Sequence, residues 1–332
     1  MSPSDIVEVL TAVIPTRQPM YLWGPPGCGK SSLVRQVATE LGLEFRDLRA
    51  TLLDPVDLRG LPRVEGGKTV WCEPAFLPTS GSGVLLLDEL AQAPPLVQSA
   101  FFQLVLDRRL GEYVLPEGWS VLAASNRIED RAGAGRVNCG LANRFLHLDL
   151  DVCPDSWQAW ALANDIAPEV RAFIRFRPAL LHSFDPSTNP RAFASPRSWE
   201  FVSRVFRVTP PNQLHQVVAG CVSSGPAAEF MAFLQLYTQL PDIDGVLKSP
   251  TTCALPSKEP AVMFALIGAL LQKCKADRTL VGNFAKLALR LPDEFGVMAI
   301  RDAIALDRSL VANPDVQRWL ATARTKGLFV AA

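Results

Sequence analysis

Residues 21–33, YLWGPPGCGKSSL, place two prolines and three glycines between an apolar run and a stretch with the pattern of a helix. Few local arrangements reconcile those neighbours. The chain must leave a buried strand, turn sharply and enter a helix, with backbone N–H groups exposed where side chains would obstruct, and glycine supplies the positive φ angles such a turn needs. Gly24, Pro25, Pro26, Gly27, Cys28, Gly29, Lys30 and Ser31 match G-x-x-x-x-G-K-[ST], a loop that cradles phosphate oxygens between a strand and a helix. In that reading Lys30 reaches the outer phosphates, Ser31 binds Mg²⁺, Ser32 continues the first helical turn, and the helix N-terminus adds a favourable dipole end. A plain joint between strand and helix would explain the glycines, but not the lysine and serine that follow them.

A second acidic station specifies the chemistry further. Val84–Leu87 is an uninterrupted apolar run followed by Asp88 and Glu89. Acids at the carboxyl end of a buried strand lie where ligands collect in open α/β sheets. Asp88 can hold Mg²⁺, directly or through water, and Glu89 can orient and deprotonate an attacking water. Capping of the strand end is the simpler alternative for both acids.

Five β-type runs are expected in the first half, at 20–23, 44–48, 84–87, 119–124 and 145–150, with helices at 31–41 and 95–106 between them. Continuous apolar strands alternating with helices predict a mostly parallel sheet covered on both faces. Beyond residue 152 the β signal fades, and helices recur between proline-containing breaks. The expected organisation is an α/β core at 1–152, a helical lid at 153–240 and a helical extension at 241–332. Tyr113 and Trp71 are the aromatic residues of two expected surface hairpins, at 107–118 and 52–74, the latter turning at Gly66-Gly67, with packing in the core the alternative for either ring.

With these stations in place, the chain resembles the AAA+ ATPases, specifically their MoxR branch, over roughly residues 18–240. "EPAFLPTSGSGVLLLDELAQAPPLVQSAFFQLVLDRRL" (73–110) is similar to that family's second acidic region, "VLAASNR" (121–127) to its sensor-1 strand, "LANRF" (141–145) to the segment bearing an arginine finger, and "SPRSWEF" (195–201) to the start of its sensor-2 helix. The resemblance implies that Asn126 helps position the water, that Arg144 reaches the γ-phosphate held by the next subunit, and that Arg197 contacts the nucleotide of its own subunit. Asn143 stands where the family often has an acid, and Arg131 and Arg136 are the competing candidates for the finger. A P-loop AAA+ three-layer core, ATP and Mg²⁺ as cofactors, a ring of six subunits, loops that grip a client and a partner with a von Willebrand factor A domain are further implications. A DNA-handling motor of the same class and a small-molecule P-loop kinase are the alternatives, together with a nucleotide-gated scaffold.

Composition narrows the partners. Thirty-three basic and thirty-three acidic residues leave no net charge, which argues against a polyanion. The longest uncharged apolar run, 261–271, is too short to span a bilayer, the N-terminus lacks signal-peptide features, and a cytoplasmic location is expected. Seven cysteines without a C-x-x-C pair fit free thiols better than a zinc site. Cys28, beside a helix N-terminus, raises the separate question of a thiol with a lowered pKa and redox sensitivity.

Overall fold

The computed structural model describes residues 1–130, 135, 137–188, 191–237, 239–255 and 259–325. They divide into two compact units, one of residues 1–157 and 182–198, the other of 158–181 and 199 onward.

The first unit is built on β1 (Met20–Trp23), β2 (Glu44–Arg49), β5 (Ser82–Asp88), β8 (Gly118–Ser125) and β9 (Leu146–Asp149), all parallel, in the order β2-β5-β8-β1-β9. The expected strands are present, and the continuous apolar runs have the anticipated cause: both faces of the sheet are buried. Tyr21, Leu85, Leu87, Val121 and Ala123 pack on one side with Val97, Phe101 and Leu104 of α4 (Pro95–Asp107). Met20, Leu22, Val84, Leu86 and Leu122 pack on the other with Ile6 and Leu10 of α1 (Pro3–Val13) and Val34 and Val37 of α2 (Lys30–Glu40). The result is the three-layer parallel core anticipated from sequence. α1 begins with Ser2 and Asp5 in a reciprocal capping box.

Two hairpins interrupt the α/β alternation. After the short α3 (Pro55–Arg59), β3 (Leu61–Glu65) and β4 (Lys68–Cys72) pair with Glu65 opposite Lys68, so Gly66 and Gly67 form a two-residue turn with φ of 58° and 77°. β6 (Arg109–Leu110) and β7 (Tyr113–Val114) form the second hairpin. A four-residue helix, α5 (Cys139–Ala142), precedes β9.

From α6 (Pro154–Ala163) onward every regular element among the described residues is helical: α7 (Pro168–Phe176), α8 (Pro196–Val205), α9 (Leu214–Val222), α10 (Ser224–Tyr237), α11 (Ile243–Lys248), α12 (Pro260–Ala276), α13 (Val281–Ala288), α14 (Asp293–Leu306) and α15 (Pro314–Thr325). The second unit's core joins Phe173, Trp199, Phe230 and Phe233 in edge and tilted ring contacts. α12 lies directly on α7: a methyl group added at Gly268 would come within 2.9 Å of the Ala172 methyl. Residues 241–325 therefore share a core with the helices that precede them. No helix among the described residues is long and apolar enough to cross a membrane.

Candidate active site

Gly24 follows β1 directly, and its amide donates to the Ser125 carbonyl at the end of β8. The loop then runs through Gly27 (φ 77°) to Gly29 (φ 95°), which opens α2. At Gly27 a Cβ would lie 2.7 Å from Ser195 Oγ, so the left-handed backbone and the absence of a side chain are both required. Around Gly29 the space is open.

Lys30 is only 9% exposed. Its ammonium donates to the carbonyls of Gly24 (2.8 Å) and Pro25 (3.1 Å) and to Asn126 Oδ1 (2.9 Å). These partners are uncharged, so a buried positive charge faces the loop with no ion-paired carboxylate among the described residues, and desolvation lowers its pKa. An anion would relieve that deficit, and the phosphates of a nucleotide fit it. Ser31 Oγ donates to Asp88 Oδ2 at 2.8 Å. A hydroxyl and a carboxylate converging beside the phosphate loop are the hard oxygen donors that suit Mg²⁺, an ion usually held by one or two protein oxygens together with substrate phosphates. Ser32 is exposed on the first turn of α2.

Glu89 closes β5 in an unusual backbone conformation. With φ 59° and ψ 31° it is left-handed, a state that costs a non-glycine residue about 1 kcal/mol or more and recurs at functional sites. Its amide donates to Asp88 Oδ1 (3.1 Å) and its Oε2 accepts from Thr51 Oγ1 (2.9 Å). Ser125 secures the turn from below: its Oγ accepts from the Ala91 amide at 2.9 Å and lies 2.8 Å from the Tyr21 hydroxyl. Asn126, the next residue, thus stands at the carboxyl edge beside Lys30.

Arg197 lies against the loop of its own chain, its amide donating to the Gly27 carbonyl at 3.3 Å. His182 contributes from the same segment, with Nε2 3.1 Å from the Pro26 carbonyl, and burial lowers its pKa. Arg144 is placed elsewhere. Its guanidinium lies 4.0 Å over the Phe102 ring and donates to the Gly140 carbonyl, at the amino end of β9. Arg131 and Arg136 lie outside the described residues.

Burial decides between the alternatives left open for Cys28 and Tyr113. The Cys28 thiol is shielded, and burial pushes its pKa up despite the proximity of Lys30, which removes the basis for a readily modified thiolate. Tyr113 is 3% exposed, donates its hydroxyl to the Pro78 carbonyl at 2.6 Å, and is a core residue of its hairpin. Trp71 is half-buried, with the Arg59 guanidinium 5.4 Å from its ring. The sequence reading had not singled out Thr51, Ser125, His182 or Ser195. Thr51 and His182 lie outside the quoted segments; Ser125 and Ser195 lie within VLAASNR and SPRSWEF, where the family pattern points to the neighbouring Asn126 and Arg197 instead.

Residues 20–130, a third of the chain, match the model of the AAA family, described as the ATPase family associated with various cellular activities. No curated protein matched. Among solved structures, similar folds include NtrX from Brucella abortus in complex with ADP (16% identity, 97% of this chain and 68% of that one, TM-score 0.43) and in complex with ATP (15%, 83% and 65%, TM-score 0.42). The Thermotoga maritima RuvB Holliday junction branch migration motor is a third (17%, 81% and 80%, TM-score 0.37). The matched segment holds the phosphate loop, Asp88, Glu89 and Asn126, and ends before Arg144 and Arg197. Residues 20–130 thus match an AAA-type ATPase domain, and the candidate phosphate-binding groups stand along the carboxyl edge of its parallel sheet.

Proposed function

We propose that the chain is a ring-forming, MoxR-type AAA+ ATPase that remodels a partner protein, with Glu89 as general base and Arg144 acting on the ATP of the neighbouring subunit. The observation that carries this reading is the separation of Arg144 from its own site. Parallel pairing sets Leu146 beside Met20 and Asp149 beside Trp23, so the strand level of Gly24 is that of residue 150. Four residues of strand rise, about 13 Å at 3.3 Å per residue, separate that level from Leu146 at the start of β9. Arg144 lies before Leu146 in the turn after α5, its guanidinium turned onto Phe102 and Gly140, so the loop is beyond the reach of its side chain. A guanidinium that serves a γ-phosphate from this position serves another chain's, and head-to-tail repetition of such a contact closes into a ring when the rotation permits. Six subunits is the number the MoxR resemblance implies.

Within one subunit, the loop amides and Lys30 hold the phosphates, Arg197 approaches from the 182–198 segment, and Asn126 orients a water that Glu89 deprotonates. Ser31 and Asp88 would hold Mg²⁺, which when bound would neutralise charge developing on the phosphate oxygens. The β3–β4 hairpin, with Leu61 and Val64 among its most exposed apolar residues, is the segment suited to gripping a client. A partner with a von Willebrand factor A domain and a lid at residues 153–240 follow from the same resemblance, and a cytoplasmic location follows from the sequence's lack of signal-peptide and membrane-span features.

The test is turnover against protein concentration, with Arg144→Ala alongside. Cooperative dependence on concentration is expected, together with a loss in the variant of about 10³- to 10⁵-fold at unchanged ATP affinity. Full turnover by dilute monomers would overturn the reading.

A further inference from the structure

Arg144 follows a four-residue helix on an edge strand, a setting with little intrinsic rigidity, yet a hydrogen-bonded link ties it to the phosphate loop of its own chain. Trp23, the last residue before Gly24, donates its indole N–H to His147 Nδ1 at 2.8 Å. Because Nδ1 accepts, the neutral ring carries its proton on Nε2, which lies 2.9 Å from the Ala142 carbonyl and donates to it. Ala142 ends α5; its carbonyl also accepts the Phe145 amide, and the Arg144 amide closes on Leu141. The imidazole is fixed in plane by stacking, its ring centroid 5.6 Å from that of Tyr21 and 6.1 Å from that of Trp23. One side chain thus joins the root of the phosphate loop to the turn from which Arg144 projects.

The two ends of this link differ: the N–H of the half-buried Trp23 has His147 as its partner, whereas the Ala142 carbonyl also accepts from the Phe145 amide with its second lone pair. The α5 C-terminus leaves carbonyls that a helix this short cannot satisfy internally. Without His147, the turn would keep only the backbone bonds from Asn143, Arg144 and Phe145.

We propose that His147 is a positioning residue that registers the Arg144 turn to the phosphate loop of its own subunit, so that the guanidinium offered to the neighbour is aligned from the donor's nucleotide site. The proposal rests on the reading of Arg144 as acting between subunits.

The test uses full-length chains and ATP turnover. His147→Ala lowers kcat roughly 10- to 100-fold, the scale of a misplaced catalytic group, with ATP affinity unchanged. His147→Gln restores most of it, since its amide can accept from Trp23 and donate to Ala142. Trp23→Phe keeps an aromatic ring, removes the N–H, and reproduces part of the loss. Thermal midpoints of all three identify any variant that fails to fold.

Mixed assemblies separate this proposal from the one beneath it. Glu89→Gln subunits have a silent site but an intact Arg144 and His147, so their co-expression with His147→Ala subunits restores turnover at the sites they adjoin. The same is expected with Arg144→Ala subunits. Should the Arg144→Ala mixture recover while the His147→Ala mixture does not, the assignment of His147 is wrong and the inter-subunit arginine stands. Failure of the Arg144→Ala mixture removes both, and an unchanged kcat in His147→Ala removes the positioning role.

Discussion

At the scale of single residues, the site is a set of polar groups held ready by partners that a nucleotide would replace or join. Glu89 is an instance: Thr51 donates to its Oε2 and occupies a lone pair that a bound water would otherwise use. Thr51→Val is expected to raise basal turnover severalfold in a steady-state assay without changing ATP affinity. Gly27→Ala acts in the opposite sense, because a methyl group there meets Ser195 and the left-handed backbone adds strain of about 1–2 kcal/mol, so nucleotide binding measured by titration calorimetry should be lost. The glycine, lysine and serine of the loop and the paired acids were legible in the chain because phosphate chemistry restricts residue type at each position. Thr51 and His182 were not, since a hydroxyl or imidazole in a connecting segment has many uses, and only tertiary packing selects this one.

At the scale of elements, most boundaries followed from punctuation and periodicity. Proline opens α7, α8, α12 and α15 where its fixed φ suits the first turn, and the two-residue glycine turn sets the register of β3 and β4. The short α3, α5 and α11 carry too few residues to display a helical period. The second hairpin was located correctly but the side of its aromatic residue stayed open, because an alternating pattern over two-residue strands cannot fix which face is buried. Tyr113→Phe should therefore cost about 1 kcal/mol through the lost bond to Pro78 and leave turnover intact, as urea unfolding and an ATPase assay would measure. Burial also pushes the Tyr113 hydroxyl up to about 12, so its neutral form is favoured in the folded state. Its contribution is complete below the unfolded value near pH 10 and is lost as pH rises from there through about 12; in Tyr113→Phe the alkaline fall in thermal midpoint should be shallower. Between α7 and α14, Arg175 forks onto both oxygens of Asp302 in a buried pair. Asp302→Ala strands that guanidinium and is expected to destabilise the second unit by about 3–5 kcal/mol in the same urea experiment.

At the scale of the whole molecule, the α/β core and the helical remainder were anticipated from the fading of β-type runs, whereas the grouping of residues into units was not. Sequence neighbours suggested successive blocks, but burial groups residues by shared core, and α12 on α7 joins segments almost a hundred positions apart. The backbone crosses between the units three times, after residues 157, 181 and 198. Dissection of the gene has to respect that path. A fragment ending at residue 157 would encode every strand of the sheet yet omit His182, Ser195 and Arg197, leaving one wall of the nucleotide loop unbuilt. A minimal catalytic version would need residues 182–198 grafted back through a designed linker, and a single protease cut in the exposed turn at Asn164 and Asp165 should leave two pieces that remain associated, because each piece holds part of both cores.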